Sequence, residues 1–403
     1  MGNFMVPHSN LPAASSTTDA GLIRTFMPEL DTIRGIAVLA VVLLHGFYWH
    51  YAGFSFGPLA RAFVLITAPG WLGVNLFFVL SGFLITGILV DSRNRPDYYR
   101  RFYTRRALRI LPAYYALLLS ILVLHSASSA FVGLSFIYLA NVTNFFHVAC
   151  DYGPLWSLAV EEHFYILWPA VVKKVTTRHL VWVSAAIVAG VPILRGISYT
   201  IGMRAGLAWY TWFVADGLAA GALLAILLRT SVTRRQIKYV CALLFGSAIF
   251  AGLAGRPFGI LTRDRLLGAT FQWTLINAFF AGTLLFFLLA GSSSARRYVN
   301  LAPFRFLGYL SYGLYLNHLL AFRMYDRLCS RFFPQWMPSN GHFGLVLLRF
   351  ALAGGGAVAV AYLSRRFFEE RFLQWKDWLV PQSVSLIPES VVTREPVSNT
   401  QVA

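Results

Sequence analysis

Residues 30–50 read LDTIRGIAVLAVVLLHGFYWH, and this stretch decides the class of fold. The ten residues between Arg34 and His45 are all apolar or glycine. A helix needs about 20 mostly apolar residues to cross the hydrocarbon core of a bilayer. The stretch therefore predicts a transmembrane helix that carries an ionisable residue deep in its apolar run.

The composition of the whole chain agrees with this interpretation. Of its 403 residues, 57% are hydrophobic and 12% are charged, whereas soluble domains average about 45–50% apolar and about 25% charged. Aromatic residues make up 16%, which suits the Trp and Tyr belts of membrane interfaces. This composition excludes a cytosolic globular enzyme, a collagen-like chain and a disordered chain.

Further apolar runs follow the first along the chain. They predict an all-α, polytopic integral membrane protein with about ten transmembrane helices around a central polar cavity. The predicted spans lie at approximately 33–53, 71–90, 110–125, 158–173, 180–195, 208–228, 239–254, 269–290, 306–326 and 345–363.

The net charge is +18, from 34 Lys and Arg against 16 Asp and Glu. A soluble protein with this charge would suggest nucleic acid as a partner, but here the basic residues cluster between apolar runs, as the positive-inside rule expects. With both termini cytoplasmic and the distal Arg394 left out, 23 basic residues lie inside and ten, among them Arg195 and Arg349, lie outside. An eleventh apolar run, residues 131–149, would destroy this bias if it spanned the membrane. We therefore expect it to be an outer-face or re-entrant segment.

The ends of the chain are polar. Residues 1–27 lack the pattern of a cleavable signal peptide and are predicted to be a disordered cytoplasmic segment, as is the tail 379–403. Residues 28–378 then form one transmembrane domain. The three cysteines are far apart and odd in number, so neither a disulfide framework nor a metal site is predicted.

Five polar residues fall at similar depths in five predicted spans. His45, Asp216, Asn277 and His318 lie about 12 Å, and Ser81 about 15 Å, inside the outer boundary at 1.5 Å per residue. Ionisable groups at such depth are costly and usually functional. They could instead be hydrogen-bonding contacts between helices. A common depth favours a shared buried cavity.

The cytoplasmic end of the first span carries a second charged group. Eleven residues separate Arg34 from His45, so the two share one helix face and lie about 16 Å apart along the axis. Asp31 is one turn before Arg34 and could pair with it.

Two adjacent carboxylates, Glu161 and Glu162, occur in GPLWSLAVEEHFYILWP, residues 153–169. They could be acidic residues favoured by a helix N-terminus, or they could face the mouth of the cavity. Adjacent helical side chains point about 100° apart, so we expect at most one to face inward.

The loop after the second span has seven arginines within residues 93–109. Some of them anchor the chain to the cytoplasmic side. Arg101, Arg105 and Arg109 would form one helical stripe with Arg106 beside it. Such a stripe could hold the phosphates of a cytosolic cofactor by bidentate hydrogen bonds.

Together, five motifs resemble those of the membrane acyltransferase-3 family. The resemblance covers nearly all of residues 28–375. It rests on LDTIRGIAVLAVVLLH (30–45, an R-x10-H motif), GVNLFFVLSGFLIT (73–86), RRALRILPAYY (105–115), PLWSLAVEEHFYILWP (154–169) and LGYLSYGLYLNH (307–318).

The resemblance implies a bacterial inner-membrane O-acyltransferase. Its donor would be acyl-CoA, with acetyl-CoA expected. Its acceptor would be a hydroxyl of a carbohydrate-containing molecule such as a polysaccharide, glycolipid or macrolide. No metal and no nucleic acid are expected to take part.

Thioester attack by a hydroxyl needs a base, and an imidazole with its ordinary pKa near 6.5 suits that role. Direct transfer and a covalent relay through Ser81 or a tyrosine both remain open. The predicted site comprises catalytic His45, Arg34 and Glu161, cofactor-binding Arg105, Arg106 and Arg109, and substrate-binding Ser81, Glu162, Tyr165, Asp216 and His318.

A transporter or flippase of a glycolipid or small solute is the alternative function. It explains the helices and the polar layer equally well, but it gives no reason for a buried histidine above a cytosolic arginine stripe. A non-catalytic interaction protein is the least favoured, because it leaves the buried ionisable groups without a role. The sequence does not determine the oligomeric state.

Overall fold

The computed structural model describes residues 21–24 and 26–379, and every regular element within these ranges is helical. The predicted all-α class is therefore confirmed. The ten long helices are α1 (Pro28–Tyr51), α2 (Leu72–Ser92), α3 (Tyr98–Val123), α4 (Leu155–Lys174), α5 (Thr177–Thr200), α6 (Thr211–Leu227), α7 (Arg234–Gly255), α8 (Leu266–Gly291), α9 (Ala302–Phe332) and α10 (Phe343–Trp375).

Each of the ten predicted spans overlaps one of these helices. Across the described residues, seven helical stretches are long and apolar enough to cross a bilayer, and they contain α1, α2, α3, α5, α7, α8 and α10. α6 is apolar but has only 17 residues. The chain is an integral membrane protein, and ten crossings stay a prediction.

The ambiguous run 131–149 does not form a long helix. A short helix, Ser129–Phe136, and a 3-10 turn, Thr143–Phe146, enclose irregular backbone. Tyr114 on α3 donates a hydrogen bond to the carbonyl of Ser135 at 2.7 Å. Irregular backbone at membrane depth needs such protein partners, so the prediction that this run is not a full helical span is confirmed.

Glycines let the central helices approach closely. A Cβ built on Gly82 of α2 would overlap the carbonyl of Leu218 on α6, and one on Gly221 of α6 would overlap the carbonyl of Val79 on α2. Small residues at helix contacts are typical of membrane bundles. The reciprocal pair fixes α2 against α6 beside Ser81.

We expect Gly221→Ala to lower the stability of the protein, because overpacking a tight contact costs about 1–3 kcal/mol. Gly246→Ala on α7 is the matched control, since a Cβ there meets nothing within 4 Å. Thermal unfolding in detergent measures the effect. A Gly221→Ala variant as stable as the Gly246→Ala variant would contradict the close α2–α6 contact.

α1 changes its winding around His45. Residues Leu44–Tyr48 form a π-helical segment between two α-helical ones. Such bulges often occur at functional sites. At the other end, the carbonyl of Asp31 touches Gly308 of α9 so closely that a Cβ there would overlap it, which packs α1 against α9.

The predicted disordered ends lie largely outside the described residues. Within the predicted N-terminal segment, Leu22 is buried and Arg24 pairs with Glu29 at the start of α1. Beyond Trp375, helical turns continue to Leu379, and the carbonyl of Leu379 accepts a hydrogen bond from Arg100 at 2.8 Å.

Candidate active site

A cavity with about 110 Å³ of space for water-sized molecules lies between five helices and is lined by both polar and apolar side chains. Its charged and hydroxyl-bearing lining comes from α1, α2, α3, α4 and α9. These residues are Arg34, Ser81, Arg106, Arg109, Ser157, Glu161, Glu162, Tyr165, Ser311, Tyr312 and Tyr315. We name it the acyl cavity. Distant parts of the chain therefore converge on one site, as the predicted central cavity requires.

Both carboxylates of α4 line the acyl cavity. The expectation that at most one of Glu161 and Glu162 faces inward was wrong. Two residues that point about 100° apart can still line one cavity when the cavity wraps around the helix. Residues of α2 and α3 line the same cavity.

Glu161 is held by two hydroxyl groups. Ser81 Oγ donates to Glu161 Oε1 at 3.2 Å, and the Tyr165 hydroxyl donates to Glu161 Oε2 at 2.6 Å. Tyr165 Oη also lies 3.3 Å from Ser81 Oγ. The three groups form a compact cluster in which one carboxylate faces a serine and is oriented by a tyrosine.

Only part of the predicted arginine stripe lines the acyl cavity. Arg106 and Arg109 line the acyl cavity, and the guanidinium of Arg106 lies 4.3 Å from the centre of the Tyr165 ring. Arg105 lines neither this cavity nor the second one described below. Arg105 and Arg106 are adjacent in α3, so their side chains point in different directions around the helix. The arginines that face the cavity are therefore two of the three predicted ones.

A second cavity, with about 200 Å³ of space for water-sized molecules, adjoins the first. The two share Arg34, Arg109, Ser311 and Tyr312. In the second cavity Arg34 pairs with Asp31 at 2.7 Å, as predicted. The shared lining joins the first turns of α1 to the Glu161 cluster by a continuous polar surface.

Arg109 stands at the junction of the two cavities. Its side chain stays accessible, and among residues 21–24 and 26–379 it forms no ion pair. Arg34 and Arg365, which line the same junction, are paired with Asp31 and Glu369. The guanidinium of Arg109 has no such partner among the described residues, so it is suited to hold a phosphate or a carboxylate.

His45 of α1 contacts His318 of α9. The common-depth argument had grouped these two residues. His45 Nδ1 lies 2.9 Å from the carbonyl of Val41 and 3.2 Å from His318 Nε2. His318 is fully buried, and its Nδ1 lies 3.1 Å from the carbonyl of Leu314.

These contacts assign the tautomers. A carbonyl oxygen can only accept a hydrogen bond, so Nδ1 carries the proton in both rings. His318 Nε2 is then an acceptor that faces His45 Nδ1–H. In neutral His45 the lone pair lies on Nε2, which neither of these contacts uses.

His45 does not line the acyl cavity. Instead a short series of side chains joins them. The ring centre of Tyr315 lies 5.9 Å from that of His318, and the Tyr315 hydroxyl lies 2.6 Å from Ser157 Oγ. Tyr315 and Ser157 both line the cavity. His318 and Tyr315 therefore connect His45 to the cavity wall.

A family model described as an acyltransferase domain, that of the acyltransferase-3 family, matches residues 27–366. The chain belongs to this family. The predicted resemblance is confirmed.

Curated relatives include peptidoglycan O-acetyltransferases. The chain is 28% identical to the peptidoglycan O-acetyltransferase OatA of Listeria monocytogenes, over 73% of this chain and 49% of that protein. It is 26% identical to the O-acetyltransferase OatA of Staphylococcus aureus, over 73% of this chain and 50% of that protein. It is 34% identical to YrhL, a putative peptidoglycan O-acetyltransferase of Bacillus subtilis, over 36% of this chain and 23% of that protein.

The chain spans about half the length of the two acyltransferase-3 relatives that it matches most extensively. No solved structure matches the chain. Among the residues that the structure describes, no group of three or more His, Cys, Asp or Glu side chains is arranged to hold a metal ion.

Of the five members of the predicted polar layer, Ser81 alone lines the acyl cavity; His45, His318, Asp216 and Asn277 do not. Asp216 is buried and pairs with Arg195 at 3.0 Å, and it also accepts a hydrogen bond from Thr274 at 2.7 Å. Asn277 accepts a hydrogen bond from Asn75 at 2.9 Å. The substrate-binding role expected for Asp216 does not fit this geometry, because both of its carboxylate oxygens already have protein partners.

Sequence reasoning missed three features of the site region. Arg195 was counted as an outer-face charge, although it is buried in an ion pair. Ser157 was quoted within its motif but given no role. Arg349, also counted as outer-face, is buried, pairs with Asp326 at 2.6 Å and donates to the carbonyl of Gly46 beside His45. No periodicity reveals such partners, because they lie on different helices.

Proposed function

We propose that this protein is a membrane O-acetyltransferase that moves an acetyl group from cytosolic acetyl-CoA to a hydroxyl of a carbohydrate-containing acceptor. The observation that carries the proposal is the acyl cavity of an acyltransferase-3 chain. In it a carboxylate–serine–tyrosine cluster and three guanidinium groups, those of Arg34, Arg106 and Arg109, line one space.

The donor would enter at the junction of the two cavities. Arg109 and Arg106 would hold its phosphates, since guanidinium groups bind phosphate by bidentate hydrogen bonds. Arg34 is partly satisfied by Asp31 and would orient the donor from α1. In this pose the thioester would lie towards Glu161. Arg105, which faces neither cavity, is left out of the donor site.

His45 would be the general base for the acceptor hydroxyl. Its Nε2 carries the lone pair in the neutral ring, and His318 fixes the ring through Nδ1. General-base catalysis contributes typically about 10²–10⁴-fold in rate. His318 would thus act through His45 as a positioning residue, and the acceptor hydroxyl would approach His45 from its Nε2 side, away from His318.

The acceptor is proposed from the relatives and the cavity chemistry together. The names of the matched relatives specify peptidoglycan, whose sugars present hydroxyl groups. Glu162 and Tyr165 line the acyl cavity and would hydrogen-bond sugar hydroxyls. An envelope glycan is therefore the first acceptor to test, ahead of an exported polysaccharide, a glycolipid or a macrolide.

The family and its bacterial relatives support a placement in the bacterial inner membrane, and the charge distribution supports both termini in the cytoplasm. The predicted cytoplasmic side carries 23 basic residues, and eight remain on the other side once the buried, paired Arg195 and Arg349 are set aside, as the positive-inside rule expects. Arg34 and the second cavity would then open to the cytoplasm, and His45 would lie towards the acceptor side.

Mass spectrometry of envelope glycans tests the proposal. Cells that produce the protein are expected to contain glycans with one added acetyl group per modified sugar, and cells without it are not. Unmodified glycans in both, together with protein-dependent movement of an intact glycolipid or solute across vesicles, would indicate a transporter and overturn the proposal.

We expect Arg109→Gln to raise the KM for acetyl-CoA by about 10–100-fold, because a charge-assisted hydrogen bond contributes about 1.5–3 kcal/mol. The kcat should change less, since the residue binds a remote part of the donor. Arg296→Gln, an exposed arginine in the predicted cytoplasmic set, is the control. Steady-state kinetics with varied acetyl-CoA measures both. An unchanged KM would remove Arg109 from the donor site.

A further inference from the structure

The cluster around Glu161 has the arrangement of an activated nucleophile. A serine hydroxyl lies in hydrogen-bond reach of a carboxylate, Ser81 Oγ to Glu161 Oε1 at 3.2 Å. A third group, Tyr165, holds the other carboxylate oxygen at 2.6 Å. Nucleophile, base and orienting residue in this order are the signature of covalent catalysis by a serine.

Other hydroxyl groups of the acyl cavity are engaged differently. Ser157 Oγ lies 3.1 Å from the carbonyl of Pro154, to which it can only donate, so the 2.6 Å contact with Tyr315 is a hydrogen bond from the tyrosine. Tyr312 donates to the carbonyl of Ile110 at 2.8 Å. The hydroxyl groups of Ser157, Tyr312 and Tyr315 thus face no group that could remove a proton. Those of Ser81 and Tyr165 both donate to the carboxylate of Glu161.

The position of His45 points the same way. Its ring does not line the cavity that holds Ser81 and the three arginines. A base outside the cavity that holds the donor is better placed to take a proton from the acceptor than to start the attack on the thioester. An intermediate held on the cavity wall would let the donor leave before the acceptor reacts.

We propose that Ser81 is the nucleophile of an acyl-enzyme step in this transfer. The inference rests on the proposed function and deepens it, since it assigns the covalent carrier of the acyl group. The donor in this reaction is an acyl thioester, and the acceptor is an alcohol.

In the first step, Ser81 Oγ attacks the thioester carbonyl, and Glu161 takes the Oγ proton. The C–S bond breaks, an ester forms on Ser81, and the thiolate leaves to be protonated by water. The guanidinium groups that line the cavity would stabilise the negative charge of the tetrahedral intermediate.

In the second step, the acceptor hydroxyl attacks the carbonyl of the Ser81 ester. Because His45 lies outside the acyl cavity, the acceptor's proton passes to His45 Nε2 through a bridging water molecule. The C–Oγ bond breaks, and Glu161 returns its proton to Ser81 Oγ. His45 then gives its proton to water. The sum is one alcohol and one thioester converted into one ester and one thiol.

The test uses the purified full-length protein and acetyl-CoA radiolabelled in the acetyl group, without acceptor. The wild type is expected to gain covalent label on the peptide that contains Ser81. It is also expected to exchange the acetyl group between acetyl-CoA and added radiolabelled CoA. Both signals should fall by at least about 10²-fold in Ser81→Ala and in Glu161→Gln.

Ser184→Ala is the matched control. Ser184 is also a buried serine in a long helix, and its hydroxyl donates to the carbonyl of Leu180 at 2.9 Å. It should label and exchange like the wild type. A variant that is merely unfolded would be detected by its elution in size-exclusion chromatography, and Glu161→Gln keeps the shape of the cluster if Ser81→Ala does not fold.

The outcomes separate this inference from the proposed function. If the wild type acetylates an acceptor but neither labels nor exchanges, or if Ser81→Ala transfers at the wild-type rate, the acyl-enzyme step is wrong while the proposed function stands. Label on a residue other than Ser81 overturns the assignment as well. If the wild type transfers nothing from acetyl-CoA to any acceptor, the proposed function itself fails.

Discussion

A His45→Ala variant is expected to insert and fold like the wild type and to lose acetyl transfer by about 10²–10⁴-fold, the usual contribution of a general base. His45 is partly buried on α1, and its side chain contacts His318. Truncation removes the lone pair of Nε2 and leaves His318 Nε2 without its donor. Transfer to soluble peptidoglycan fragments, with varied acceptor, measures the loss.

His50→Ala is the control for this variant. His50 lies in the same helix, five residues further on, and is exposed, so its replacement should leave transfer unchanged. If His45→Ala transfers acetyl groups at a rate close to that of His50→Ala, the base is another group and the role given to the His45–His318 contact is wrong.

The second large effect concerns stability. Asp216→Ala is expected to destabilise the protein by about 3–5 kcal/mol, because it leaves the buried guanidinium of Arg195 without its carboxylate. Arg195 is fully buried and donates to Asp216 through two of its nitrogens. Thermal unfolding and the yield of folded protein in detergent would report this loss.

Replacing both partners separates a structural role from a substrate-binding one. The double variant Arg195→Met with Asp216→Leu leaves no unpaired charge, so it should recover most of the lost stability and retain acetyl transfer. A folded double variant without transfer would instead return Asp216 to the substrate site, as the sequence first suggested.

The apolar pattern of the chain was sufficient to predict the helices. Every predicted span overlaps a long helix because about 20 apolar residues have few other stable arrangements in a bilayer. Charge parity also resolved residues 131–149 correctly. The run is apolar, but its helical part ends at Phe136, and only the distribution of arginines indicated that it would not span.

The site was predicted in part. The resemblance to the acyltransferase-3 motifs pointed to Ser81, Glu161 and Tyr165, which the structure brings into one hydrogen-bonded cluster. A common depth brought His45 to His318, but it also grouped Asp216 with them, and that residue pairs elsewhere. Depth along a helix gives only the height of a residue in the membrane. The direction in which its side chain points around the helix axis, and the helix packed there, determine which residue it contacts.

Charge counting failed where arginines are buried. Arg195 and Arg349 were placed on the outer surface by their position in the chain, but both are enclosed and paired with aspartates. The positive-inside rule describes loops and helix ends. It gives no information about a guanidinium that a neighbouring helix neutralises inside the bundle.

The most direct measurement of the central claim uses sealed vesicles that contain the protein with its basic face outward. Peptidoglycan fragments are enclosed, and acetyl-CoA radiolabelled in the acetyl group is added outside. We predict radiolabelled acetyl esters on the enclosed fragments and no CoA inside the vesicles. Vesicles that contain His45→Ala should form no acetyl esters. Unlabelled fragments, or intact acetyl-CoA within the vesicles, would contradict the claim.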